Sequence, residues 1–202
     1  MASPHASLSG ISTTPAVDES EGAMDDLGAQ QLRALARVGE LLEAAGCAYW
    51  LFGGWAVDFH AGSVTRSHGD VDIAVWLDDV PGISDLLERD GWRHAPADDD
   101  GGTGYERDAV RLELTFLVRD GDGRIFTPLR QGRASWSEEA LGDDVRELLG
   151  VRARVVGLSS LRGGKSSPRA EPEEAANDRA DFVVLSRLAP DARDDPPDST
   201  LP

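Results

Sequence analysis

Between Phe52 and Trp76 the chain reads FGGWAVDFHAGSVTRSHGDVDIAVW, and no other stretch limits the possible folds as tightly. A Gly-Gly pair opens onto a short segment of helical character, Trp55 to His60. An irregular, basic-tinged loop covers 61–69, and Asp70 and Asp72 then bracket Val71 at the start of a β-type run, VDIAVW. Side chains two apart on an extended strand share a face, so both carboxylates are expected to project together. Held side by side they repel, and each resists ionising unless a cation lies between them. Hard divalent cations with oxygen ligands, Mg2+ above all, resolve that conflict. A Gly-Gly turn at a helix start leaves backbone N–H groups available, a cradle for phosphate. Cradle and carboxylate pair together point to phosphoryl or nucleotidyl transfer.

The flanking chain supplies elements in a compatible order. An amphipathic helix is expected from Asp25 or Asp26, with Leu32, Leu35, Val38, Leu41 and Leu42 at helical spacing and Gly46 as its stop. CAYWLF (47–52) reads as a buried strand leading into the Gly-Gly turn. The second strand runs from Asp70 to Leu77, and a further helix from Pro81 to Asp90. The acidic loop DDDGGTG (98–104) reads as a solvated turn, with a wall facing a cationic acceptor as the alternative. A β-meander follows, with its hairpin turn at Asp120–Gly123. In VRLELTFLV, Leu112, Leu114 and Phe116 share one face, and Arg111, Glu113 and Thr115 the other. Residues 131–150 read as polar loop with a short helix, 151–157 as a strand, and the remainder as closing helices. On the last of them Ala175, Asp178 and Phe182 mark the face to be buried. Residues 1–24 read as a disordered leader, 25–188 as one domain and 189–202 as a disordered acidic tail.

Net charge bears on partners. The first 26 residues hold five acids and no Lys or Arg, and residues 190–202 carry a net −3; taking both from −17 leaves −9 on the rest. An acidic chain argues against nucleic acid as a partner and suits a small cationic molecule. The single cysteine, Cys47, excludes an intrachain disulfide and is expected to be a buried bystander. No apolar run has the length of a membrane span and the N-terminus lacks signal-peptide character, so a cytoplasmic location is expected. No feature separates monomer from homodimer.

GGWAVD followed by TRSHGDVDIAV resembles the motif of the small nucleotidyltransferases that inactivate aminoglycoside and lincosamide antibiotics, above all the aminoglycoside 2''-adenylyltransferase type, within the polymerase-β-like superfamily. The resemblance implies an α/β (α+β) nucleotidyltransferase fold: a small mixed sheet flanked by helices, with a short helical C-terminus. It implies Mg2+-dependent transfer of AMP from ATP to a hydroxyl of a small cationic antibiotic, releasing pyrophosphate. Asp70 and Asp72 would hold two Mg2+ ions, and Glu113 would be the third carboxylate, as metal ligand or as base; many relatives carry Asp there. Gly53, Gly54, Arg66, His68 and Lys165 would bind nucleotide. The closing Lys and K/N-D-x-x-D pattern falls on Lys165, Asn177, Asp178 and Asp181. Trp55 reads as core and Asp58 as packing or capping. A lincosamide, another metabolite or a protein as acceptor, and a non-catalytic nucleotide-binding relative, stand as alternatives.

Overall fold

In the computed structural model, residues 24–96, 100–166 and 171–188 are described. The expectations for the leader and the tail lie outside these residues, apart from Met24. Helix α1 (Asp26–Ala45) is capped by Asp25, whose carboxylate accepts from the Gly28 N–H, and it ends on Gly46 in the left-handed conformation. Its buried stripe contains Leu35, Val38 and Leu42 at heptad-like spacing. Strand β1 (Tyr49–Phe52) passes directly into α2 (Gly53–Ala61), so the helix begins at the Gly-Gly pair itself.

Strand β2 (Val71–Trp76) lies antiparallel to β1 and parallel to β5 (Val110–Arg119), which makes the sheet mixed. Between them α3 (Val80–Arg89) and strands β3 (Arg93–Ala95) and β4 (Gly102–Arg107) fill out the order β1-β2-β5-β4-β3. Strand β6 (Ile125–Leu129) pairs with the end of β5, and β7 (Gly132–Trp136) with β6. Within the expected polar loop and short helix of 131–150, the helix is a single 3-10 turn (Glu139–Leu141), and strands β7 and β8 (Val145–Leu148) stand on either side of it. Pairing with β6 holds β7 along one edge, while four of its five residues stay exposed and leave no apolar alternation to read. Strand β9 (Val151–Arg154) pairs with β8 in a separate hairpin, which reaches the main sheet through one bridge from Leu51 to Val155.

Leu51, Ile73, Val75, Leu112 and Leu114 form the sheet's share of the core, closed by Val38 and Leu42 of α1 and Ile83 and Leu87 of α3. On β5 the expected alternation holds through Leu114 and then slips, with Leu117 buried in place of Phe116. The slip falls between the end of the β4 pairing at Thr115 and the start of the β6 pairing at Val118. Helices α4 (Leu158–Lys165) and α5 (Pro172–Arg187) close the described chain, and α5 packs on α2 and α4. Its buried face is Asp178, Asp181 and Leu185, while Phe182 is 40% exposed. Of the face expected through Ala175, Asp178 and Phe182, Asp178 is buried and Ala175 half-buried, while Phe182 gives way to Asp181 and Leu185. Cys47 is half-buried.

Candidate active site

The sheet register assembles one row of side chains. Phe52 on β1 is the partner of Asp72, and Asp72 is the partner of Glu113 on β5. Directly paired residues place their side chains on the same face, so Asp72 and Glu113 are neighbours across the β2–β5 pair. Asp70, one residue before β2, is half-buried. Glu113 is held by Arg111, whose Nε donates to Oε1 at 2.5 Å, while Arg111 also donates to Glu106 and to the Pro96 carbonyl.

The Gly-Gly turn is pressed against this row. Gly53 has φ +68°, and a β-carbon there would sit 2.0 Å from Asp72 Oδ2. At Gly54 a β-carbon would lie 2.4 Å from His68 Nδ1 and 2.5 Å from Arg66 Nη2. Both glycines are required by close approach, and Gly53 also by its backbone. Gly53, Gly54, Arg66, His68 and Asp72 therefore converge, and the register adds Glu113 beside Asp72.

The loop between α2 and β2 is fastened from within. Asp58, fully buried, accepts from the Thr65 N–H at 3.0 Å, from Thr65 Oγ1 at 2.5 Å and from His68 Nε2 at 2.6 Å. The His68 ring lies 4.4 Å from Trp55, and its buried Nδ1 has no hydrogen-bond partner among the described residues. Gln31 completes the fastening: its amide donates to the His68 carbonyl at 3.0 Å and accepts from Trp55 Nε1 at 3.2 Å. Sequence reasoning passed over Gln31, although it falls on the same helix stripe as Leu35, Val38 and Leu42. A polar residue on a core stripe was the available signal.

Arg66 and Lys165 meet on α5. Arg66 makes a two-pronged ion pair with Asp181, Nε to Oδ1 at 2.8 Å and Nη2 to Oδ2 at 2.9 Å. Lys165 Nζ lies 2.8 Å from Asp181 Oδ2 and 2.8 Å from Asp178 Oδ1. Burial opposes the Arg66 charge, but the bonds and charge of Asp181, with Asp58 and Asp70 nearby, outweigh it and raise its pKa above the ordinary value. Burial likewise works against the Asp181 charge, and Arg66 and Lys165 overcome it, holding the carboxyl below its ordinary value.

A mixed sheet flanked by helices, with a glycine turn abutting a strand carboxylate, defines a nucleotidyltransferase fold. The chain belongs to the aminoglycoside-2''-adenylyltransferase family, whose description matches residues 34–180, and family members are nucleotidyltransferase enzymes. Among solved structures it is similar to the lincosamide antibiotic adenylyltransferase LnuA in its lincomycin-bound form: TM-score 0.63, 18% identity, 78% of this chain and 97% of that one covered. It is also similar to the antibiotic-resistance factor ANT(2'')-Ia in solution, with TM-score 0.57, 18% identity, and 78% and 85% coverage. The adenylyl-2''-tobramycin complex of ANT(2'')-Ia gives TM-score 0.55 at 17% identity, with 77% and 90% covered. At these identities the likeness is one of fold. No curated protein sequence matches the chain. Among the described residues no helix is long and apolar enough to cross a membrane.

Proposed function

We propose that the chain transfers AMP from Mg-ATP to a hydroxyl group of an aminoglycoside, releasing pyrophosphate. The observation that carries this reading is the Asp72–Glu113 pair set against the Gly53–Gly54 turn in a chain of this family. The donor set fits Mg2+: Asp70 and Asp72 offer hard carboxylate oxygens, and this ion is commonly held by one or two carboxylates, substrate phosphates and water. Bound there, two such ions would offset triphosphate charge.

The chain's own residues do the rest. Gly53 and Gly54 let the backbone come close to the β- and γ-phosphates, with the α2 N-terminus behind them. Arg66 and Lys165 supply positive charge on one side of the turn. The acceptor oxygen attacks the α-phosphorus in line, the new O–P bond forms, and the bond to the β-phosphate oxygen breaks. Glu113, oriented by Arg111, takes the hydroxyl proton, and its contribution is mainly one of position. His68, held by Asp58, fixes the loop and directs Nδ1 toward the turn.

A lincosamide is the second reading, favoured by Phe52. It stands beside Asp72 in the row and meets Trp136 edge-on at 5.8 Å, an aromatic wall suited to a less charged acceptor. Pyrophosphate release from Mg-ATP across a panel of aminoglycosides and lincosamides, with Asp70→Ala as control, tests both. Turnover with one class, lost in the variant, identifies the acceptor; no turnover with either class rejects both readings.

A further inference from the structure

We infer that Asp181 is a positioning residue for nucleotide, acting by aiming Arg66 across the Gly-Gly turn; the inference rests on the reading above. Arg66 Nη2 stands 2.5 Å from where a Gly54 β-carbon would be, so the guanidinium lies directly on the turn. A long, flexible arginine holds such a place only if the edge that carries Nη2 is itself fixed. Asp181 does this with two bonds in the planar fork that only a guanidinium offers. The carboxylate is 1% exposed, so the fork is shielded from competing water.

The same oxygen, Asp181 Oδ2, is also 2.8 Å from Lys165 Nζ. Two cations that would otherwise repel are thereby neighbours, and Arg66 brings the pair to the glycine turn. Asp178 engages Lys165 but makes no bond to Arg66 among those described. Asp181 ties α5 to the loop that precedes Asp70. It lies 115 residues from Arg66, so α5 determines how the loop presents its charge.

The test is a double-mutant cycle on the full chain, reading Mg-ATP affinity by calorimetry and steady-state pyrophosphate release with an active acceptor. Asp181→Asn should weaken Mg-ATP binding about tenfold, with nucleotide KM raised and acceptor KM changed less than about twofold. In an Arg66→Ala background the Asp181→Asn penalty should fall below about threefold, since its main route is gone. Undiminished, multiplying penalties would overturn the inference. Arg66→Lys retains the charge without the fork and leaves no buried carboxylate lacking a cation. It should also weaken Mg-ATP, and unchanged affinity there would reject positioning in favour of charge alone. A wild-type chain that binds neither Mg-ATP nor tripolyphosphate would instead sink the proposed function, and the inference with it.

Discussion

The carboxylate row on the sheet and the ion cluster under α5 use the same chemistry, carboxylates beside cations, yet they are built in opposite ways. Asp70 and Asp72 are two residues apart, one just before β2 and one within it. Asp181 and Arg66 are 115 residues apart, and only the packing of α5 on α2 brings them together. The sheet row is half-buried and concentrates negative charge, an arrangement that favours a cation. The cluster is buried and internally neutral, two cations against two carboxylates, an arrangement that favours rigidity. A row built to bind should tolerate loss of charge in stability and not in activity, whereas a cluster that both holds α5 and aims Arg66 should lose stability and nucleotide affinity together.

Substitutions at five positions would break or sharpen that contrast. Asp72→Asn should lower pyrophosphate release by about 10²–10³-fold, roughly 3–4 kcal/mol of barrier, while the thermal midpoint holds or rises as repulsion with Asp70 is relieved. A large drop in the midpoint would show the row to be structural. Asp181→Ala should cost about 3 kcal/mol in urea unfolding, because Arg66 and Lys165 are left half-buried without their shared partner. Its effect has a pH signature. The native carboxyl binds its proton more weakly than the unfolded one, so its stabilisation is complete well above 3.8 and is lost as pH falls through the lower native value. The stability gap between wild type and Asp181→Asn should therefore be flat near neutrality and close only in acid; a gap closing near pH 6 would contradict the assignment.

Gly53→Ala should destabilise by about 1–2 kcal/mol through the left-handed backbone alone, and also displace Asp72, so activity should fall further than stability. Proportionate losses would mean that Asp72 relaxes without consequence. Phe182→Ser, on the exposed side of α5, should change stability by no more than about 0.5 kcal/mol, whereas Leu185→Ala, on the buried side, should cost about 2–5 kcal/mol. If Phe182 proved the more sensitive, another surface would have to cover it.

Some of this organisation was legible in advance. The spacing of Leu32, Leu35, Val38 and Leu42, together with Asp25 and Gly46, marked α1 nearly to the residue, because caps and stripes are local properties. Glu113 could be assigned to the face opposite Leu112 and Leu114 from alternation, and its neighbour Asp72 could not, since register depends on which strands pair. β7 was missed because exposed residues carry no alternation. The exposure of Phe182 was missed because helical spacing says which residues share a face, and the partner decides which face is buried.

What the sequence determined by itself was the local grammar: a strand, a glycine turn, a helix and a strand bearing two carboxylates, with enough fixed spacings to indicate the family. The tertiary structure decided what those residues face. It set Asp72 against Gly53, seated His68 on Asp58 beneath Gln31, and took Arg66 and Lys165 to a buried carboxylate on the last helix. The reason is physical. Periodicity sorts side chains onto faces over a few residues, whereas a buried charge finds its partner wherever in the chain packing delivers one.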